Sequence, residues 1–345
     1  MTSFYNRAAA MEFAGEFWNR PCRSDTQPFA LGMDGGRDVP LSAFWDQRKA
    51  PSKHYEPRFV YSTLWRKDQL IAMPKPGAPK DLPQVMLVDD KTNGRKLEDC
   101  AHFLSQCLKA GGLNIKEQWS VPMLINELTA GEDHRIKPTA KTLCEKVSRE
   151  AVQRIIDAEL LGIGDMISYL KPAAKPGEKS EYSHSGMFCG TNGNGIGSVT
   201  CHTASRFIGL TPRDLKDDWF LTNPNYSFTL LHIPRASEST AAIGASIAGW
   251  WRVAQGNQAM FYFVLADGRA VRTNRVPTDA KGPPSVGAGD SRGYWFERHG
   301  KVTICWRADG SLFTMDLLAG SKPSHVTIDG APAVATRPGG LKLDI

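Results

Sequence analysis

The chain has 345 residues, 41% of them hydrophobic and 23% charged, with a formal net charge of +6. That is a globular composition with room for one large or two ordinary domains, and it excludes a disordered or collagen-like chain. No apolar run approaches the roughly eighteen residues of a membrane span, and the basic residues are scattered among acidic ones, so neither a membrane span nor a nucleic-acid partner is expected.

From Phe4 to Trp18 apolar residues recur at helical spacing, Phe4, Ala8, Met11 and Trp18 beside Ala9, Phe13 and Phe17, until Asn19-Arg20-Pro21 stops the pattern. One amphipathic helix is predicted. The opening Met1 to Arg7 lacks the basic-then-apolar layout of a secretory signal. Synthesis in the cytoplasm is therefore expected, with a specialised secretion system carrying the protein to the periplasm of a target cell. Residues 21–94, rich in Pro, Gly, Lys and Asp, read as an irregular insertion with one or two short strands such as Phe59-Val60-Tyr61 and Val85-Met86-Leu87-Val88.

A helix is predicted from Cys100 to Ala110, stopped by Gly111-Gly112, and a second from about Thr139 to Leu161, with Leu143, Val147, Val152, Ile155, Ile156 and Leu160 on related faces. Strand-length runs follow at 165–170, 185–189, 198–202 and 226–233, with hairpin chemistry in Gly190-Thr191-Asn192-Gly193-Asn194-Gly195. Beyond the small-residue stretch 237–248, short runs at 250–253, 260–265, 270–273, 294–296, 302–306 and 312–315 are broken by Asp267-Gly268, His299-Gly300 and Asp309-Gly310. These predict an antiparallel meander. The fold class is α+β over residues 1–236, followed by a small all-β accessory domain over 246–345 with a Pro/Gly-rich tail. Its aromatic residues, Trp250, Trp251, Tyr262, Tyr294, Trp295 and Trp306, offer either a sugar-stacking surface or the filling of a thin core.

The seven cysteines, Cys22, Cys100, Cys107, Cys144, Cys189, Cys201 and Cys305, are odd in number and include no CxxC pair, so neither a disulfide framework nor a zinc site is suggested. Cys100 differs from the rest in starting a helix. The unpaired amides and partial positive charge of a helix start stabilise a thiolate and can receive a developing oxyanion. His184 enters the strand Ser185-Gly186-Met187-Phe188, a setting from which an imidazole can act as general base on sulfur. His202, one strand further on, could orient that ring. His102 projects away from Cys100 on the same helix and ranks as a pocket-lining or structural residue. His184, His202 and Cys201 could in principle ligate a metal, but their spacing matches no zinc signature, and no metal or cofactor is expected.

Tyr5-Asn6-Arg7-Ala8-Ala9-Ala10-Met11, then Asp99-Cys100-Ala101-His102-Phe103-Leu104-Ser105-Gln106 and Ala110-Gly111-Gly112, resemble the family described as "putative amidase domain", whose members pair a "YNR..A" helix with a "DC.NF.SQ...AGG" helix. Gly164-Asp165-Met166-Ile167, Ser183-His184-Ser185 and Cys201-His202-Thr203-Ala204-Ser205-Arg206 resemble its "GD.I", "DHS" and "QHT.DR" elements, in the same order. The resemblance covers about residues 4–12 and 99–233. It implies a papain-like fold of the NlpC/P60 type, with N-terminal helices packed on an antiparallel sheet, and a cysteine peptidase or amidase that cuts stem peptides of bacterial peptidoglycan. Cys100 would be the nucleophile, His184 the base and His202 the orienting residue, with Asp99 and His102 meeting substrate. The accessory domain would grip the wall or a delivery partner, and an antibacterial effector of this kind implies an inhibitor (immunity) protein. His102 stands where the family has Asn, and Tyr182-Ser183 where it has the Asp before His. The same Cys-His apparatus also serves protein deamidases and transglutaminase-like enzymes, and the fold without the activity would make a wall-binding module.

Overall fold

Asn6 starts the first helix by accepting a hydrogen bond at Oδ1 from the Ala9 amide, 3.1 Å away, which relieves one of the unpaired amides of a helix start. The computed structural model describes residues 5–17, 30–33, 38–40, 61–66, 69–74, 85–87, 100–130, 139–173, 175, 177, 179–191, 197–201, 213–214, 225–234, 247–277, 289–317 and 323–337. Helix α1 (Arg7–Phe17) follows the predicted helix closely; Phe4 and Trp18 lie outside the described residues.

The 21–94 segment contributes more strand than its composition predicts. β1 (Ala30–Met33), β2 (Asp38–Pro40), β3 (Tyr61–Arg66), β4 (Gln69–Pro74) and β5 (Val85–Leu87) form an antiparallel sheet in the order β2-β1-β5-β4-β3. Tyr61-Ser62-Thr63-Leu64-Trp65 carries the missed signal, β-branched and aromatic residues in a run too mixed to register as apolar.

Helix α2 (Cys100–Ala110) has the predicted bounds. It stops at Gly112, whose φ of 91° suits a residue without Cβ and whose amide returns to the Lys109 carbonyl at 2.8 Å. Helix α3 (Val121–Thr129) was not anticipated, although Val121, Leu124, Ile125 and Leu128 bury one face at helical spacing and a proline sits in its first turn.

The helix expected over 139–161 is instead a strand and a helix, β6 (Lys141–Val147) and α4 (Arg149–Asp157). Ser148 divides them. Its side chain accepts from the Ala151 amide and caps α4. Thr142, Leu143 and Cys144 are consecutive buried residues, which is a pattern for a strand covered on both faces and not for an amphipathic helix.

β7 (Met166–Lys171), β8 (Glu181–Thr191), β9 (Gly197–Thr200), β10 (Arg213–Asp214) and β11 (Ser227–His232) complete an antiparallel sheet in the order β10-β9-β8-β7-β11-β6. Helices α1, α2 and α3 cover one face, where Ala10, Leu104, Cys107 and Leu124 pack on Met166, Met187 and Leu231. The other face meets α4.

That second face also meets a meander of β12 (Gly249–Gln255), β13 (Gln258–Val264), β14 (Arg269–Thr273), β15 (Ser291–Arg298), β16 (Lys301–Trp306), β17 (Leu312–Leu317) and β18 (Pro323–Ile328). The short β19 (Ala331–Pro332) turns back on β18, and β20 (Val334–Thr336) pairs with β12 while touching β18, which draws the sheet into a barrel-like closure. His299 and Gly300, both at positive φ, make the tight turn between β15 and β16. Tyr294, Phe296, Cys305 and Leu312 share one core cluster with Leu143, Ile155 and Phe228, and the Glu145 amide donates to the Arg307 carbonyl at 2.8 Å.

Trp250, Trp251, Tyr262, Tyr294, Trp295 and Trp306 are all buried. They fill the interior of the all-β unit and present no sugar-stacking surface. Among the described residues no helix is long and apolar enough to cross a membrane.

Candidate functional site

Cys100 is the first residue of α2 and half-buried, whereas the eight residues after it, Ala101 to Leu108, are all buried. The nucleophile candidate thus sits at the open end of a helix held rigid on every side.

The far end of that helix is fixed against the sheet. Asn6 donates its amide to the Gly111 carbonyl at 2.7 Å, Tyr5 donates its hydroxyl to the Gly164 carbonyl at 3.0 Å, and the Gly164 amide donates to the Phe188 carbonyl at 2.8 Å. An 11-residue helix is about 16 Å long, which equals about five residues of strand. Because α2 packs along β8, counting back from Phe188–Gly190 brings Cys100 level with Ser183–Ser185.

His184 lies at that level, directly after a bulge. Tyr169 and Leu170, consecutive on β7, pair with His184 and Tyr182, so Ser183 is an extra residue on β8. Bulges re-aim the side chain that follows them and are common beside active sites. The His184 ring is buried and lies 5.2 Å from that of Tyr169. Tyr169 belongs to the cluster on the α4 face, and Met187 to the cluster under α2. Strand alternation therefore turns Ser185 and Met187 toward α2, and His184 toward Tyr169. The structure brings helix α2 and strand β8 together at the right level, with the thiol and the imidazole leaving from different faces of the strand.

His102 is fully buried. Its ring stacks on Trp119 with centroids 3.8 Å apart and planes 4° apart, and its Nε2 is 3.3 Å from Gln106 Nε2 and 3.9 Å from Glu117 Oε2. Direct contact between His102 and a substrate is blocked by the indole. Asp99 and His202, the other two candidates, lie outside the described residues.

Other thiols are chemically quieter. Burial pushes Cys144 and Cys189 up to about 12 and Cys305 well above its ordinary value, so they stay protonated near neutrality. Among the described residues no group of three His, Cys, Asp or Glu could hold a metal ion.

Sequence reasoning assigned no role to the residues that frame the site. Asp165 is fully buried and accepts from Arg7 Nη1 at 2.9 Å, His232 Nδ1 at 2.7 Å, the Gly162 amide at 2.7 Å and the Ile233 amide at 3.0 Å. Arg7 also donates to the Ile163 and Ile233 carbonyls. Tyr5, Arg7 and Asp165 stood in the two quoted motifs, which was the available signal. Their work is to bolt α1 and the start of β7 together.

Residues 90–220 match the family described as "Putative amidase domain". The matched span includes Cys100 and His184, and it supports a hydrolase that acts on amide bonds. Comparison with curated proteins gives no match, and comparison with solved structures gives none.

Proposed function

We propose that the protein is a cysteine hydrolase that cuts an amide bond in peptidoglycan stem peptides. The reading rests above all on Cys100, a half-buried thiol at the first position of a fully packed helix, level with the bulge that precedes His184. The amidase match over 90–220 supports the reaction class, and the likeness to wall-peptide hydrolases supports the substrate.

In this reading the Cys100 thiolate attacks the scissile carbonyl carbon while helix-start amides receive the oxyanion. Collapse breaks the C–N bond, and the imidazolium of His184 gives its proton to the leaving amine. The resulting thioester is attacked by water, whose proton returns to His184. A carboxylic acid leaves and the thiolate is restored. His202 orients the imidazole, and Asp99 receives a substrate amine. The all-β unit holds the wall or a delivery partner, and the protein acts in the periplasm of a target cell after export.

A second reading, a wall-binding module that keeps the fold without the activity, draws on one observation: Ser185, and not His184, turns toward α2. Purified peptidoglycan incubated with the protein and with Cys100→Ala separates the two. Soluble fragments released by the first and not the second support the hydrolase, and mass spectrometry identifies the bond. Absence of fragments from both favours the binding module, unless ammonia is released from protein glutamine, which identifies a deamidase.

A further inference from the structure

Trp119 is 64% exposed, while Trp250, Trp251, Trp295 and Trp306 are all buried. A large indole left in water calls for something to cover it. One of its faces is occupied by His102, stacked at 3.8 Å and within 4° of parallel. The imidazole is itself fully buried, so the indole plane is backed by a rigid support and its other face is open.

The platform stands close to the proposed nucleophile. Helical side chains lean toward the helix N-terminus, so His102 presents Trp119 at the level of the helix start where Cys100 sits. Residues two apart lie about 200° apart around a helix, which puts the indole across α2 from Cys100, on the order of 10 Å away or about three residues of extended chain. Beside the ring, Glu117 stands 3.9 Å from His102 and holds Lys109 Nζ at 3.1 Å.

A flat apolar face with a carboxylate and an ammonium at its rim suits a ligand that is apolar on its faces and hydrogen-bonding at its edges. A pyranose ring has that character, with C–H groups on its faces and hydroxyl or acetamido groups around its edge. An aliphatic side chain would use the indole and leave the charged rim without a partner. We propose that Trp119, backed by His102 and rimmed by Glu117, binds an amino-sugar ring of the wall glycan and holds it while Cys100 attacks the attached peptide. The choice of glycan rests on the hydrolase reading above. The Asn that the family motif carries in place of His102 has no ring to stack, so the platform belongs to this chain's departure from the motif.

The probe is tetra-N-acetylchitotetraose, titrated into the full chain carrying Cys100→Ser, alone and combined with Trp119→Ala, Trp119→Phe or His102→Asn, and followed by calorimetry and indole N–H chemical shifts. Trp119→Ala should weaken binding about tenfold or more, Trp119→Phe about threefold or less, and His102→Asn by an intermediate factor. Unchanged thermal unfolding of Trp119→Ala checks that the fold is intact. No binding, or binding indifferent to Trp119→Ala, overturns the proposal, as does equal Trp119-dependent binding of a stem peptide that lacks sugar. Trp119-dependent sugar binding without release of peptidoglycan fragments keeps the platform and removes the hydrolase reading. Fragment release with no Trp119-dependent sugar binding does the reverse.

Discussion

Arg7 and Asp165 are 158 residues apart in the chain and meet through a 2.9 Å contact between Nη1 and Oδ1, with Asp165 fully buried. Removing one partner of a buried ion pair leaves the other charged and desolvated, which costs about 3–5 kcal/mol. Arg7→Leu and Asp165→Ala should each lower stability by about that amount in urea unfolding. The double variant should lose less than the sum of the two, since both remove one interaction. A loss below about 1 kcal/mol for either single variant would show that the network does not hold α1 to the sheet.

The same carboxyl gives stability an acid limb. Burial works to raise the Asp165 pKa, but the charge and hydrogen bond of His232, the Arg7 guanidinium and the Ile233 amide outweigh it and hold the group below its ordinary 3.8. A carboxyl with a depressed folded pKa contributes stability that is complete above its unfolded pKa and is lost as pH falls through the folded value. The unfolding midpoint should therefore hold steady from neutrality down to about pH 4 as far as Asp165 is concerned, then drop. Asp165→Asn should be less stable at pH 7 and should show a shallower fall below pH 4. Parallel pH profiles for the two proteins would count against this account.

Thiol reactivity distinguishes Cys100 from the buried cysteines without any substrate. Cys144 and Cys305 are fully buried, and burial raises both, so neither offers thiolate to an alkylating agent near neutrality. Iodoacetamide at pH 7.5, followed by peptide mapping, should label Cys100 at least about tenfold faster than Cys144 or Cys305. The Cys100 rate should fall as pH drops through the thiol's own pKa. Labelling of Cys100 no faster than the buried pair would remove the basis for calling it a nucleophile.

How much of this was legible in the sequence depended on whether a signal was local. Cys100–Ala110 was readable to the residue because its apolar spacing and its Gly111-Gly112 stop lie in one short stretch. The strands of the meander were readable for the same reason, each being bounded by its own turn. β6 and α4 were merged because burial of β6 on both faces depends on β11 and on Cys305 and Arg307, about 160 residues away. Both Cys100 and His184 were found from their settings. The faces from which they leave were not, because the bulge at Ser183 appears only when β8 is paired with β7. His102 was expected to meet substrate, and its burial under Trp119 could not be read from a loop tryptophan 17 positions later.

Gly111 provides a last test, because it separates close packing from helix propensity. A Cβ at this position would lie 2.4 Å from Tyr5 Cε2 and 2.9 Å from the Asn6 carbonyl oxygen. Neither neighbour is free to retreat. The Tyr5 hydroxyl is tied to the Gly164 carbonyl at 3.0 Å, and the Asn6 amide is tied to the Gly111 carbonyl at 2.7 Å. Gly111→Ala should therefore separate α1 from the end of α2 and cost about 1–3 kcal/mol, the usual range for overpacking, with the backbone contact placing it at the upper end. Gly15 is the matched control. It lies inside α1 with nothing within 4 Å of the position a Cβ would take, so Gly15→Ala should stabilise by about 0.5–1 kcal/mol. Opposite signs for the two substitutions in urea unfolding are the expected result. If Gly111→Ala were neutral, α1 would not be seated on the end of α2, and the anchoring that sets Cys100 level with His184 would fail with it.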